Sequence, residues 1–322
     1  MSIESDYRII AEGCGLLDHS ERGKLALSGQ DAVAFLNGQV TNELMTLRPG
    51  EGCYAAFLNH KGKMLGDLRI LAVAHGEHTE LLLDTERVCL QALFDMIRRY
   101  KVGYEVQLDK RTLERGLLSL LGPQADAVCG AALAPEEHAN TPTEIDGIVA
   151  LAIRTDLGVD LLCEAADTDA LRDALVARGA QQISEEAAEC VRIERGRPRF
   201  GIDLDESVIP QEAGLNERAV SFTKGCYVGQ ETVARLYYKG KPNRHLRGLR
   251  LSAPAESGAE LSLGDRVVGH LGSVALSPRL GPIALALVRR EAGPGSVLTC
   301  GERNASATSP PQGEVCELPF PA

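Results

Sequence analysis

Beyond Pro242 the chain changes texture, and this change limits the fold more than any other feature. Short apolar stretches, Leu246 to Leu251, Asp265 to Ser277, Ile283 to Val288, Ser296 to Cys300 and Val315 to Leu318, alternate with Gly, Ser and Pro. Runs this short suit strands joined by tight turns, so the segment predicts a small all-β barrel or sandwich. Residues 302–313, polar and holding Pro310-Pro311, read as a mobile loop.

Upstream, strand-like and helix-like segments are interleaved, with no repeat of fixed period. Lys24 to Leu27 reads as a strand. Ser28 is placed to cap a helix whose apolar face is Val33, Leu36 and Val40. Cys53 to Leu58 and Lys63 to Val73 read as a hairpin around the turn residues Asn59-His60-Lys61-Gly62. Leu81 to Leu83 is another strand. With Asp84 or Thr85 as cap, Cys89, Leu93, Met96, Ile97 and Tyr100 form one buried helical stripe that Gly103 ends. This mixture predicts an α+β, ferredoxin-like arrangement. Residues 122–147, with Pro123, Pro135 and Pro142, read as a loop or domain edge. Helices follow from Thr168 to Gly179 and from Ser184 to Gly196. From Gly201 to Lys224 periodicity is lost, which predicts a long functional loop.

A chain of 322 residues allows two or three domains and needs no staples. Its net charge of −11 argues against nucleic acid or an anionic membrane as partner. The nine cysteines include no C-x-x-C, and the seven histidines show no metal-ligand spacing. Neither a disulfide scaffold nor a zinc site is implied, and the thiols fit a reducing compartment. The N-terminal segment, with Glu4, Asp6 and Glu12, is neither a signal nor a transit peptide, and no apolar stretch is long enough to span a membrane. The expected location is the cytoplasm, and no resident metal or cluster is expected.

Three places carry candidate chemistry. The first is Lys224-Gly225-Cys226-Tyr227-Val228-Gly229-Gln230-Glu231-Thr232-Val233-Ala234-Arg235. Glycines on both sides of Cys226 permit a sharp turn, and the cation of Lys224 favours a thiolate. A helix is expected to follow Gly229, with Glu231 and Arg235 at i and i+4. The other reading is a packed structural cysteine. The second is Glu194, which shares the apolar face of its helix with Ala187, Cys190 and Val191 and sits in the last turn, where the helix dipole disfavours it. It either pairs with Arg192, Arg195, Arg197 or Arg199, or binds a ligand. The third is Asp67, a carboxylate inside a strand, for which pairing with Arg69 is the simple explanation. Nucleotide, zinc-protease and serine-hydrolase motifs are absent.

The segment from Lys224 to Arg235 resembles the hallmark K-G-C-(Y/F)-x-G-Q-E-x-x-x-R of the YgfZ-type folate-binding family at every fixed position. Arg192 to Asp203 resembles the R-I-E-x-G-x-P-x-x-G-x-D segment of the wider glycine-cleavage T-protein superfamily, Ile209 to Leu215 its P-x-E-A-G-L loop, and Asn59 to Leu71 its hairpin. The resemblance covers essentially the whole chain. It implies an α+β ring of three domains with ferredoxin-like units and a C-terminal small β-barrel. The divisions are 1–50 with 111–240, 51–110, and 241–322.

The same resemblance implies binding of tetrahydrofolate or a one-carbon derivative, and a role in assembly or repair of iron–sulfur clusters with client or assembly proteins as partners. Glu194 is the residue expected to accept from the pterin edge. Cys226, Lys224 and Asp67 become the candidates for reactivity. Arg235, Gln230, Glu231 and Tyr227 become further candidates for the cofactor. One departure matters. Aminomethyl-transferring T-proteins carry two adjacent acids at the end of the hairpin motif, and this chain has Gly66-Asp67. The open alternatives are a folate-dependent aminomethyl or one-carbon transferase using Asp67, and a folate-binding scaffold with a structural Cys226.

Overall fold

The computed structural model describes residues 2–76, 78–301 and 310–321. The loop expected at 302–313 therefore lies, from 302 to 309, outside the described residues. In chain order the elements are α1 (Ile3–Glu12), β1 (Gly15–Asp18), β2 (Gly23–Ser28), α2 (Ala32–Asn37), β3 (Gly52–Leu58), β4 (Met64–His75), β5 (His78–Thr85), α3 (Leu90–Tyr100), β6 (Gln107–Lys110), β7 (Arg115–Leu121), α4 (Ala125–Cys129), β8 (Asn140–Ile145), β9 (Ile148–Arg154), β10 (Gly158–Glu164), α5 (Thr168–Ala177) and β11 (Gln181–Gln182). There follow α6 (Glu185–Glu194), α7 (Asn216–Ala219), α8 (Gln230–Lys239), β12 (Arg244–Leu251), β13 (Glu260–Leu263), β14 (Arg266–Ser277), β15 (Gly281–Arg289), β16 (Val297–Cys300) and β17 (Gln312–Cys316). The fold is α+β.

The chain forms two compact units, Met1–Ser184 with Glu217–Gln230, and Glu185–Asn216 with Glu231–Ala322. The first unit holds two sheets, ordered β3-β4-β5-β2-β6 and β11-β1-β7-β10-β9-β8. Strands β3 and β4 form the expected antiparallel hairpin. Leu25, Leu27, Leu68, Ile70, Leu81 and Leu83 are buried, as are Leu93 and Ile97 of α3 and Phe35 and Leu36 of α2. The second sheet has its own apolar cluster, which includes Leu118, Leu120, Ile153-neighbouring Ala152, Leu161, Leu171 and Leu175.

In the second unit β12-β15-β14-β13-β16-β17 closes into a barrel, so no strand edge is left unpaired. Its interior is lined by Leu249, Leu261, Val268, Leu271, Val288 and Leu298. Ile193 of α6 packs with Leu246, Ile283, Leu285 and Phe320 on the same unit.

Some local expectations change. The helix after β2 starts at Ala32, with Ser28 still in the strand, and buries Ala32, Phe35 and Leu36. Asp84 and Thr85 likewise remain in β5, and Tyr100 is exposed at the end of α3. The region 122–147 contains β8, whose Pro142 is tolerated because β8 is the outer strand of its sheet. Strand β13 is an addition to the expected barrel strands.

The two sheets of the first unit are joined by buried ions. Arg69 on β4 meets Asp84 of β5 at 2.7 Å and Asp160 of β10 at 2.6 Å. Arg22 adds a 2.7 Å contact to Asp84, and Ser119 donates to Asp160 at 2.7 Å. Removing the shared cation leaves Asp84 with Arg22 and the buried Asp160 with Ser119, and uncovering a buried charge in this way costs roughly 3–5 kcal/mol. Arg69→Met should lower the urea unfolding free energy by about that amount. A loss below about 1 kcal/mol would show that the pairs are dispensable.

Candidate functional site

The loop around Cys226 is fixed from below and from both sides. The Lys224 ammonium donates to the carbonyl oxygens of Asn37 at 2.7 Å, Val40 at 2.9 Å and Asn42 at 2.5 Å. Three acceptors match the three N–H groups of the protonated amine. Burial pulls this ammonium down to about 8, with Glu43 acting in the opposite direction. The same cation lies 5.3 Å from the centre of the buried Tyr227 ring. Val228 N–H donates to Gly38 O at 3.3 Å. Gly229 has φ +83°, and a Cβ there would stand 2.6 Å from Asn59 O in the turn of the β3–β4 hairpin. Only glycine lets the backbone approach that turn.

Between these anchors Cys226 is exposed. Helix α8 starts at Gln230, whose amide donates back to Gly225 O at 3.4 Å, while Glu231 and Arg235 are exposed further along it. The other cysteines differ. Cys14, Cys89, Cys129, Cys163, Cys190 and Cys300 are buried, and Cys53 and Cys316 are half-buried. Burial pushes the thiols of Cys14 and Cys300 up to about 11 and those of Cys53, Cys89 and Cys190 up to about 12. Among the described residues no cluster of His, Cys, Asp or Glu is placed to hold a metal ion.

Glu194 belongs to the second unit. It lies on the buried face of α6 with Ala187, Cys190 and Ile193. Its Oε1 accepts from the Ser277 hydroxyl and from the Cys190 thiol at 3.8 Å, and its Oε2 accepts from Arg279 at 3.1 Å. Ser277 itself accepts from the N–H groups of Arg279 and Leu280 at the β14–β15 turn. The carboxylate is thus oriented at both oxygens. Arg192 and Arg199, two of the expected partners, contact Glu189 at 2.7 and 2.9 Å.

Asp67 belongs to the first unit and is 5% exposed. The expected pair with Arg69 does not form, because Arg69 points to Asp84 and Asp160. Instead the Tyr54 phenol donates to Asp67 Oδ2 at 2.6 Å. The Arg218 guanidinium lies 4.6 Å over the Tyr54 ring and is held by Glu137, with Nε donating to Oε2 at 3.2 Å and a second contact between Nη2 and Oε1. Burial raises Asp67 from 3.8 to about 6, against the Tyr54 hydrogen bond. At Gly66 a Cβ would meet the Phe57 ring at 2.6 Å and Cys89 Cβ at 2.9 Å, so a second acid has no room there.

Tyr54, Arg218, Glu137, Ser277 and Arg279 carry no local sequence signal. They become visible only through register and tertiary contact. Lys24, Arg69, Arg111 and Arg115 also line a cavity of about 40 Å³ between the two sheets. That is room for a few waters. Arg69, Arg111 and Arg115 there are paired with Asp84, Glu114 and Glu164.

The Asp67 value sets a pH dependence. Between pH 3.8 and about 6 the folded state binds more protons than the unfolded chain, so stability falls as pH rises through that window. Above it the full cost is present, about 3 kcal/mol. Asp67→Asn should therefore be more stable than wild type in urea unfolding at pH 7.5. The difference should shrink by pH 4. Equal stability at both pH values would contradict this assignment.

The model of the GCVT N-terminal domain matches residues 1–224. An aminomethyltransferase of Geobacillus kaustophilus is 29% identical over 309 residues, covering 90% of this chain and 83% of its own. The putative chloroplastic transferase At1g60990 of Arabidopsis thaliana is 28% identical over 304 residues, covering 90% and 69%. The crystal structure of glycine cleavage system aminomethyltransferase T from Bartonella henselae superposes with a TM-score of 0.86 at 24% identity, over 99% of this chain and 89% of that one. That likeness shows the fold. With the family model spanning more than half of its length, the chain belongs to the GCVT N-terminal domain family, within the T-protein superfamily.

Proposed function

We propose that the protein is a tetrahydrofolate-binding accessory factor of the YgfZ type, assisting assembly or repair of iron–sulfur clusters in client enzymes. Cys226 is its functional thiol. The observation that carries this reading is the pinned loop that leaves Cys226 exposed while burial covers most of the other thiols. In this reading Lys224 and Tyr227 act as anchors of the loop, Gln230 closes it through its bond to Gly225 O, and Glu231 and Arg235 remain candidates for the cofactor on α8. The packed position of Gly66 supports the accessory role over aminomethyl transfer, since the second acid of the transferases cannot be accommodated.

The folate has a fitting acceptor in Glu194. A buried carboxylate oriented by Ser277 and Arg279 suits the paired N–H donors of an amino-pyrimidinone edge. When bound, the reduced folate supplies a nucleophilic or one-carbon-carrying nitrogen. The chain's part is to bind and orient it. A second reading, a one-carbon transferase, is favoured by Asp67, whose buried carboxyl at about 6 suits a base near neutral pH.

Two measurements test these readings. In a strain lacking the gene, wild type should restore iron–sulfur enzyme activity and Cys226→Ala should not, with glycine cleavage unaffected throughout. Loss of glycine cleavage alone would favour the transferase. In calorimetry with reduced folates, Glu194→Ala should weaken binding by more than about 1 kcal/mol, because a charge-assisted pair is lost. No heat with wild type at millimolar folate would remove the folate reading altogether.

A further inference from the structure

The ion pair of Arg218 with Glu137 has no part in the readings above, yet it ends on the ring that holds Asp67. Arg218 comes from α7 and Glu137 from the segment before β8, so neither is a sequence neighbour of Tyr54 or Asp67. A guanidinium held over a tyrosine ring, at 4.6 Å from its centre, leaves the ring less room to tilt. The phenol of that ring makes the 2.6 Å bond to Asp67 Oδ2. Glu137 fixes the guanidinium through two contacts donated by two separate nitrogens, a fork that a single ammonium nitrogen does not reproduce.

We propose that Arg218, clamped by Glu137, is a positioning residue that holds the Tyr54 phenol on Asp67 and keeps the carboxylate in its hydrogen-bonded form. This rests on the reading that Asp67 acts on a bound folate. The groups that face Asp67 are Tyr54 from β3, Arg22 ahead of β2, Glu86 and Cys89 after β5, and Arg218 from α7. Burial raises both Tyr54 and Asp67, and Arg218 is among the cations that draw each back. Arg22 is already engaged with Asp84 and Glu86. Arg218 is the cation whose removal also frees the ring.

The test uses the full chain with 13C-labelled aspartate, following the Asp67 carboxyl resonance against pH and assigning it with D67N. Arg218→Gln and Tyr54→Phe should each raise the Asp67 midpoint by at least about half a pH unit, roughly a threefold change in ionisation constant. In the Tyr54→Phe background, Arg218→Gln should produce less than half of its effect in wild type, because the two act along one path. Arg218→Lys keeps the charge and loses the contact of two nitrogens with Glu137, so it should behave like Arg218→Gln. A wild-type midpoint in Arg218→Lys, or full additivity with Tyr54→Phe, overturns the proposal. Should Arg218→Gln fail to fold, Glu137→Gln and Arg218→Lys carry the same comparison. Calorimetry of wild type with a reduced folate separates the two levels. Absence of binding removes the folate reading, whereas binding with an unmoved Asp67 midpoint removes the role of Arg218 alone.

Discussion

The Lys224 ammonium, bonded to three main-chain carbonyls of the segment 37–42, is the contact on which the candidate thiol depends. Those carbonyls lie at the last residue of α2 and just beyond it, where helix carbonyls run out of intrahelical donors. One protonated amine supplies three at once, and the favourable bonds offset the burial of its charge. The loop that begins at Lys224 is then held again by Tyr227, Val228 and Gly229. Cys226 stands between fixed points, and its exposure is a property of the loop rather than of a loose end.

The same economy of donors separates the two candidate carboxylates. Glu194 is oriented by Ser277 and Arg279, donors from a barrel turn that is itself closed by hydrogen bonds to Ser277. Asp67 has a phenol as its direct donor, and burial raises it toward neutrality. One carboxylate suits recognition of a donor edge and the other suits a proton acceptor. Nearby, Arg69 shows the structural use of the same chemistry, with Asp84 holding it within its own sheet and Asp160 tying it to the other.

What was legible in the sequence was local. The i, i+3, i+7 spacing from Ala187 placed Glu194 on a buried face, and the β3–β4 hairpin followed from its turn residues and alternation. The glycines flanking Cys226 marked a special backbone, and Gly229 proves to be the one that packs on the hairpin turn. What was hidden came from far along the chain. Arg279 lies 85 residues from Glu194, and nothing near either residue announces the other. Lys224 looked like a cation for the thiol because it is two residues away, but its side chain turns to carbonyls far earlier in the chain. Asp67 looked like a partner for Arg69 at i+2, yet register put Tyr54 within reach and gave Arg69 two other acids. Pro142 argued against a strand, and only sheet order showed that β8 is an edge.

The central claim is that the pinned loop presents the Cys226 thiol ahead of the two half-buried and six buried cysteines. Alkylation of the native protein at neutral pH, quenched over time and mapped by peptide mass, reads this directly across the nine cysteines. Cys226 should label first, Cys53 and Cys316 later, and Cys14 and Cys163 only on unfolding. If Cys226 labels no faster than Cys14 or Cys163, the loop does not present it, and its place in the segment is one of packing alone.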